Sequence, residues 1–309
     1  MTAPLNADQT QQATITGYQS RPVTKPPNWH SLVTLDLLLN NLSTGLFLVM
    51  AIGELIAPAV FRPLAPMGYP LALVWLIGDL VCLVLDLGDP ARFHHMLRVW
   101  KPSSPMSLGT WCLTAYAGPL TIVAGLSLAP AAWGLEDVRR VIAVVGLVPA
   151  LAAAAYKGVL FSTTAQRGWA DARWFGGYLL NSALVLGAAE LLILGPILGQ
   201  PQAVAMIRLV SVLLLPLNLV ALGLLLADVR PALTDARNAR SFAVLVVVSV
   251  VGGILAPLGL LALGGGLLLV VAVVLILVGA TMVRHEIVQL PHRLSHVPVG
   301  AALGAGAPR

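Results

Sequence analysis

Ionisable and polar side chains are scarce in this chain, and several of them interrupt long apolar runs. Asp36 and Asn40 are four residues apart, which places them on one face of a helix. Tyr156 and Lys157 are neighbours in another apolar run, and Asp79 lies in the middle of a third. Brought together, these groups could hydrogen-bond two carbonyl oxygens of a redox-active ring and exchange protons with it. Ionisable groups at membrane depth are costly, so they indicate function by default.

The same types of residue could instead bond one another and hold helices together. Asn41 and Ser43 could serve in that way alone. For Lys157, snorkelling of the ammonium to the membrane interface is the preferred interpretation over catalysis. Glu190 and Arg208 lie in consecutive apolar runs and predict an ion pair across neighbouring helices.

The composition assigns these residues to a membrane protein. Of 309 residues, 58% are hydrophobic and only 10% are charged, and the mean hydropathy is +0.88. A soluble domain would carry about a quarter charged residues. Because the apolar runs are long and lack a period of two, they predict helices rather than a barrel. The chain is therefore expected to be an all-α integral membrane protein.

Eight transmembrane helices are predicted, and their number suggests two four-helix bundles. The spans are expected at 33–57, 69–87, 107–129, 138–162, 175–198, 203–227, 241–260 and 262–283. The last two are close together and rich in glycine, so either a tight hairpin or one long kinked helix would fit. Residues 33–284 would form the membrane domain, between a polar tail at 1–32 and a second tail at 285–309.

The basic residues are distributed unevenly between the two ends of these spans. Thirteen Lys and Arg residues fall on the side of the two termini and three on the other side. The thirteen are Arg21, Lys25, Arg92, Arg98, Lys101, Arg167, Arg173, Arg230, Arg237, Arg240, Arg284, Arg293 and Arg309. By the positive-inside rule, both termini and the loop 88–106 should face the cytoplasm of a bacterial inner membrane.

Several kinds of site are not expected in this chain. None of the six histidines lies in the middle of a span, so no haem is predicted. Cys82 and Cys112 are too few for an iron–sulfur cluster, and no metal site is predicted. Phosphate-loop, HExxH, GxSxG and CxxC motifs are absent from the sequence, and the net charge of +5 does not indicate nucleic-acid binding. The chain is not expected to perform bond-making catalysis alone.

The loop between the second and third spans is unusually polar and predicts a docking surface for a partner. Its candidate docking residues are Asp86, Arg92, His94, His95, Arg98 and Lys101. Its sequence, DLGDPARFHHMLRVWKPSSPMSLGTW at 86–111, resembles the signature of the NrfD/polysulfide reductase membrane-subunit family. LLLNNLSTG at 37–45 and YKGVLFSTTAQRGWAD at 156–171 are similar to two other segments of that family, so the resemblance covers most of the chain.

The resemblance implies a haem-free anchor that reacts with menaquinone or ubiquinone in the first four-helix bundle. It implies a docked iron–sulfur subunit of the four-cluster ferredoxin type, often accompanied by a molybdopterin-dependent catalytic subunit. The family's tyrosine corresponds to Tyr156, and its first-helix polar groups correspond to Asp36 and Asn40. Asn40 and Asn41 depart from the family pattern, since glycines are common at these positions. Both asparagines are candidate contacts of the quinone headgroup.

The leading hypothesis is an electron-transfer anchor in which Asp36, Asp79 and Tyr156 act on protons. Asp36, Asn40, Asn41, Tyr156 and Lys157 would contact the quinone. A proton-coupled transporter using Glu54, Asp79, Glu190 and Arg208 is the rival class. A purely structural anchor is the third alternative. A proton path from Asp36 through Asp79 to Glu54 is a further hypothesis.

Overall fold

The computed structural model describes residue 29 and residues 31–98, 100–130, 133–236 and 239–295, and most of these residues are helical. No β-strand occurs within these ranges, in agreement with the predicted all-α class. The long helices in chain order are α1 Ser31–Ile56, α2 Ala65–Leu85, α3 Pro105–Ser127, α4 Glu136–Ser162, α5 Phe175–Ile197, α6 Pro201–Ala236, α7 (in three parts, Ala239–Val246, Val247–Leu255 and Ala256–Leu263) and α8 Gly266–Ser295.

Shorter elements complete the description of the first half. A one-turn helix Pro58–Phe61 and a 3₁₀ turn Arg62–Leu64 lead into α2, and the loop between α2 and α3 contains the 3₁₀ helix Pro90–Leu97. In the second half, the middle part of α7, Val247–Leu255, is π-helical. α7 and α8 are separate helices joined at Gly264 and Gly265, whose φ angles of +79° and +110° favour glycine. Of the two alternatives for this region, the hairpin is therefore the one observed.

Seven helices in the described part of the chain are long and apolar enough to cross a membrane. The predicted count of eight is not confirmed, because α3 is not among the seven. Its 23 residues include no Asp, Glu, Lys or Arg, but Ser, Thr, Gly and Pro residues lower its hydropathy. The chain is a multi-pass membrane protein.

The helices pack in two groups of four. α1 to α4 pack against one another, and α5 to α8 form the second group. α1 and α5 join the groups, and 72% and 67% of their apolar segments are buried, against 33% or less in the other five candidate spans. The two central helices cross at Gly45 and Gly187, where a Cβ on either glycine would overlap the backbone of the other helix.

Helix α8 extends beyond its predicted end. Residues from 285 onward are predicted to form a tail, but the helix continues to Ser295. Its last turns are held by Trp169, whose Nε1 donates to the Ile287 carbonyl (2.9 Å), and by His292, whose Nε2 lies 2.6 Å from the Trp29 carbonyl oxygen. Arg284, which was counted among the loop cations, is fully buried in the protein. That assignment was wrong because an arginine at the end of an apolar run resembles a membrane-border residue.

Candidate functional site

A cluster of charged side chains lies buried in the first group of helices. The ammonium of Lys157 is 2.5 Å from Oδ1 of Asp79 and 2.8 Å from Oδ1 of Asp36. Asn40 donates from Nδ2 to the other oxygen of Asp79 at 3.2 Å. All four side chains are almost completely buried. Burying charges is costly unless they are paired, and here one cation is shared by two carboxylates.

The cluster exists because three helices present their polar residues at the same depth. Asp36 and Asn40 lie one turn apart near the start of α1, Asp79 lies two turns before the end of α2, and Lys157 is in the last two turns of α4. The antiparallel order of these helices brings those segments to one end of the bundle. The prediction that Lys157 would snorkel to the interface was wrong, because two buried carboxylates hold its ammonium inside.

A cavity of about 480 Å³ adjoins the cluster. Asp36, Lys157 and Tyr156 are its polar residues at the inner end, and most of the remaining lining is apolar. α2, α3 and the residues at and just before the start of α1 supply much of this apolar wall, with residues such as Trp29, Leu83 and Leu113. The volume falls within the range of about 300–1,000 Å³ typical of small-molecule sites.

Tyr156 owes its position to a glycine on the neighbouring helix. A Cβ on Gly109 of α3 would overlap the Tyr156 ring, so the absence of a side chain at Gly109 allows the ring to lie against α3. The ring also lies beside Lys157, whose Nζ is 5.8 Å from its centroid. Among the residues that the structure describes, the Tyr156 hydroxyl has no hydrogen-bond partner.

The two asparagines of α1 point in different directions. Asn40 faces the carboxylate of Asp79, while Asn41 donates from Nδ2 to the Ala154 carbonyl of α4 at 3.2 Å. The Oδ1 of Asn41 accepts a bond from Nη2 of Arg284 at 2.5 Å. Neither asparagine lines the cavity. Asp36, Tyr156 and Lys157 are thus the candidate residues that reach it, and Asp79 and Asn40 lie behind them.

The loop between α2 and α3 covers the outer end of the cavity. Asp86, Phe93, Met96 and Leu97 are part of the lining, and the 3₁₀ helix Pro90–Leu97 is the part of the loop nearest to it. The predicted docking residues from Asp86 to Lys101 are all exposed. Arg92 pairs with Asp89 at 3.0 Å, a surface ion pair that contributes little to stability.

The start of α3 explains the Ser-Pro-Met-Ser part of the loop sequence. Ser104 caps the helix by accepting a bond from the Ser107 amide at 3.5 Å, and Pro105 occupies the first turn, where its missing N–H costs nothing. The Ser107 hydroxyl accepts a bond from the Lys101 amide at 3.0 Å. These bonds fix the loop to the helix that carries Gly109, and so to the cavity wall.

The other ionisable groups on these helices make contacts apart from the cluster. Glu54 forms an ion pair with Arg139, with Oε1 and Nη2 3.2 Å apart, near the opposite end of the first bundle. The predicted Glu190–Arg208 pair was wrong: Glu190 accepts from Nε1 of Trp75 at 2.8 Å, and Arg208 donates to the Ala262 carbonyl at 2.9 Å. Spacing along a sequence does not determine the rotation of each helix about its axis, which decides such pairs.

An aromatic layer separates the two polar ends of the first bundle. Phe47 of α1 lies edge-on to Tyr116, with ring centroids 5.5 Å apart, and to Tyr69 at 5.8 Å. The Tyr116 hydroxyl is 2.8 Å from that of Ser43, one turn before Phe47 on the side of the cavity, and Glu54 follows on the other side. Gly146 of α4 makes room for the Phe47 ring.

Two features of the site were not recognised in the sequence. Arg284 was misassigned, although an arginine directly after an apolar run is also the signal of an intramembrane cation. Gly109 belongs to the motif on which the resemblance rests, but the motif alone does not reveal that the glycine accommodates Tyr156.

In the described residues, no group of three or more His, Cys, Asp or Glu side chains could hold a metal ion.

The fold and the site together define a multi-pass helical membrane protein with a buried charge cluster beneath an apolar, loop-covered cavity. The family model described as polysulphide reductase, NrfD, matches residues 23–293. Because the match covers most of the chain, the protein belongs to the NrfD family, as predicted. Members of this family are membrane subunits of quinone-linked oxidoreductase complexes. No curated protein matches the sequence at a significant level.

Proposed function

We propose that the protein is the quinone-reactive membrane subunit of an oxidoreductase complex. The observation that carries the proposal is the meeting of Asp36, Tyr156 and Lys157 at the inner end of an apolar cavity of about 480 Å³. A quinone headgroup needs donors for its carbonyl oxygens and an apolar surface for its ring, and this cavity offers both. A bound quinone supplies two-electron, two-proton redox chemistry.

Different side chains of the cavity bind the quinone and exchange protons with it in this proposal. The free Tyr156 hydroxyl donates a hydrogen bond to one carbonyl oxygen, and the Lys157 ammonium donates to the same end of the ring. Asp36 holds a proton that leaves or enters the cavity as the ring is oxidised or reduced. Asp79 and Asn40 keep Lys157 and Asp36 in place from behind.

The α2–α3 loop is the docking surface for an iron–sulfur subunit in this proposal. Its exposed residues combine basic and imidazole groups with exposed aromatic rings, among them Phe93 and Trp100, a composition that suits a protein interface. Because the loop also covers the cavity, a partner bound there would place a cluster close to the quinone ring. A four-cluster ferredoxin-like subunit, with a molybdopterin-type catalytic subunit beyond it, fits this arrangement.

The orientation of the protein is a separate proposal. With Arg284 inside the bundle, twelve of the thirteen basic residues remain on the side of the termini, against three on the other side, so the asymmetry persists. The docking loop and both termini are therefore expected to face the cytoplasm of a bacterial inner membrane. A membrane-impermeant maleimide tests this with a cysteine at His95, compared with one at Leu128 at the opposite end of α3. Labelling of the His95 site in intact cells would overturn the orientation.

The transporter alternative receives no support from the geometry. Its four residues do not form one site, because Asp79 pairs with Lys157, Glu54 with Arg139, Glu190 with a tryptophan and Arg208 with a backbone carbonyl.

A binding measurement on the full chain in nanodiscs tests the quinone proposal directly. Short-chain ubiquinone and menaquinone analogues should quench the fluorescence of Trp29, which lines the cavity, and W29F should remove that part of the signal. No saturable quenching by either analogue would overturn the proposal.

A further inference from the structure

Arg284 is a buried cation whose hydrogen-bond acceptors, among the described residues, are all uncharged. Its side chain is fully buried between the two groups of helices. The guanidinium donates to the Asn41 side chain at 2.5 Å, to Ser182 at 3.1 Å, and to the carbonyls of Ala280 at 2.8 Å and Leu37 at 3.4 Å. Within the described part of the chain, no carboxylate forms an ion pair with it.

Two of the groups that accept hydrogen bonds from Arg284, those of Leu37 and Asn41, lie on α1, which forms part of the cavity wall. Nε of Arg284 donates to the Leu37 carbonyl on α1. Leu37 lies between Asp36 and the turn of Asn40, so this bond holds the α1 backbone next to the Asp36 carboxylate. Asn41 accepts from Arg284 and donates to the Ala154 carbonyl, which lies on α4 half a turn before Tyr156. One arginine of α8 is thus connected to α1 and α4, the helices that supply Asp36, Tyr156 and Lys157 to the cavity.

We propose that Arg284 is a positioning residue for quinone binding. Acting through Asn41, it holds the α1 turn of Asp36 against the α4 turn of Tyr156, so that the second group of helices controls the geometry of a site in the first. The inference rests on the proposed quinone site and goes beyond it by assigning a role to α8, which contributes no residue to the cavity.

A double-mutant cycle on the full chain in nanodiscs tests the inference, with quenching of Trp29 by a short-chain ubiquinone as the readout. R284M and N41A should each raise the Kd about tenfold, and the double variant should raise it no further, because both changes remove one connection. R284K should recover most of the affinity, since its ammonium can still donate to Asn41. S182A is the matched control: it removes the other side-chain bond of Arg284 and should leave the Kd unchanged.

The outcomes separate the two levels of the proposal. Wild-type affinity in N41A would overturn the role of Arg284 while leaving the quinone site intact, and so would losses in R284M and N41A that simply add. If R284M does not fold, R284K is compared with N41A instead: wild-type affinity in N41A overturns the inference, and a loss in N41A that R284K and S182A do not share supports the connection through Asn41. Failure of the wild-type protein to bind quinone would overturn the proposed function, and the inference with it.

Discussion

The Lys157 ammonium lies 2.5 Å from the carboxylate of Asp79, and both side chains are buried in the first group of helices. Removing one member of a buried pair leaves an uncompensated charge, at a cost of about 3–5 kcal/mol. D79A should therefore lower the midpoint of thermal unfolding of the purified chain strongly. E190Q, which keeps an oxygen for the Trp75 bond, should change it little. Equal midpoints for the two variants would contradict the importance of the pair.

The Tyr156 hydroxyl and the Asp36 carboxylate are expected to act on the ligand rather than on folding. Y156F and D36N should reduce quinone-linked turnover of the assembled complex by about a hundredfold, the scale of a lost proton-transfer group, while the complex still assembles. The control is Y69F, because the Tyr69 hydroxyl is buried on the other side of Phe47, away from the cavity. Unchanged turnover in both Y156F and D36N would argue decisively against the site.

Gly109 is expected to be essential for the placement of Tyr156. In G109A the added methyl group would displace the ring, and a shift of about 1 Å is enough to lower activity up to a hundredfold. The same substitution at Gly118, also on α3, meets open space and should be neutral. Combining G109A with Y156F should cause no greater loss than Y156F alone. A fully additive loss would show that Gly109 acts on something other than the tyrosine.

The crossing of α1 and α5 should tolerate no side chain. G187A would separate the two helices, and overpacking of this kind costs about 1–3 kcal/mol or more. The expected result is a lower yield of folded protein and a lower midpoint of thermal unfolding. G223A on α6 provides the comparison, since a Cβ there has no neighbour within 4 Å. Similar stability of the two variants would mean that the crossing adjusts more easily than the geometry indicates.

If the α2–α3 loop docks an iron–sulfur subunit as proposed, their interaction should depend on salt concentration. Replacing Arg98 and Lys101 with glutamate should weaken co-purification of that subunit, and the defect should become smaller at high salt because screening reduces the new repulsion. R140E, at the opposite end of the bundle, should leave co-purification intact. Retention of the partner by the loop variant at every salt concentration would place the interface elsewhere.

Much of this arrangement could be predicted from the sequence, because depth in a membrane is readable from span positions. Asp36, Asn40, Asp79 and Lys157 each lie at a predictable distance from a span end, and the alternating direction of the spans brings them to one level. The rotation of a helix about its own axis cannot be predicted from the positions of the spans. For that reason the partners of Glu190 were predicted wrongly, and the different directions of Asn40 and Asn41 could not be anticipated.

The end of α8 was missed for a related physical reason. Apolar composition stops at Val283, and a lipid-facing helix would leave the hydrocarbon there. Arg284 remains inside because neighbouring helices, not lipid, surround it and supply four acceptors. The sequence records the polarity of a residue but not whether protein or lipid surrounds it.

The aromatic layer at Phe47 also determines where a transmembrane voltage acts. A voltage falls mainly across the apolar part of a protein, and in the first group of helices the Phe47 layer is an apolar zone between the Ser43–Tyr116 contact and Glu54. Moving one charge through the whole voltage is worth about 2.3 kcal/mol per 100 mV. Charges that move among Asp36, Lys157 and a ligand stay on one side of Phe47 and cross little of the field. The proposed redox chemistry in this cavity is therefore expected to have nearly the same equilibrium in energised and de-energised membranes.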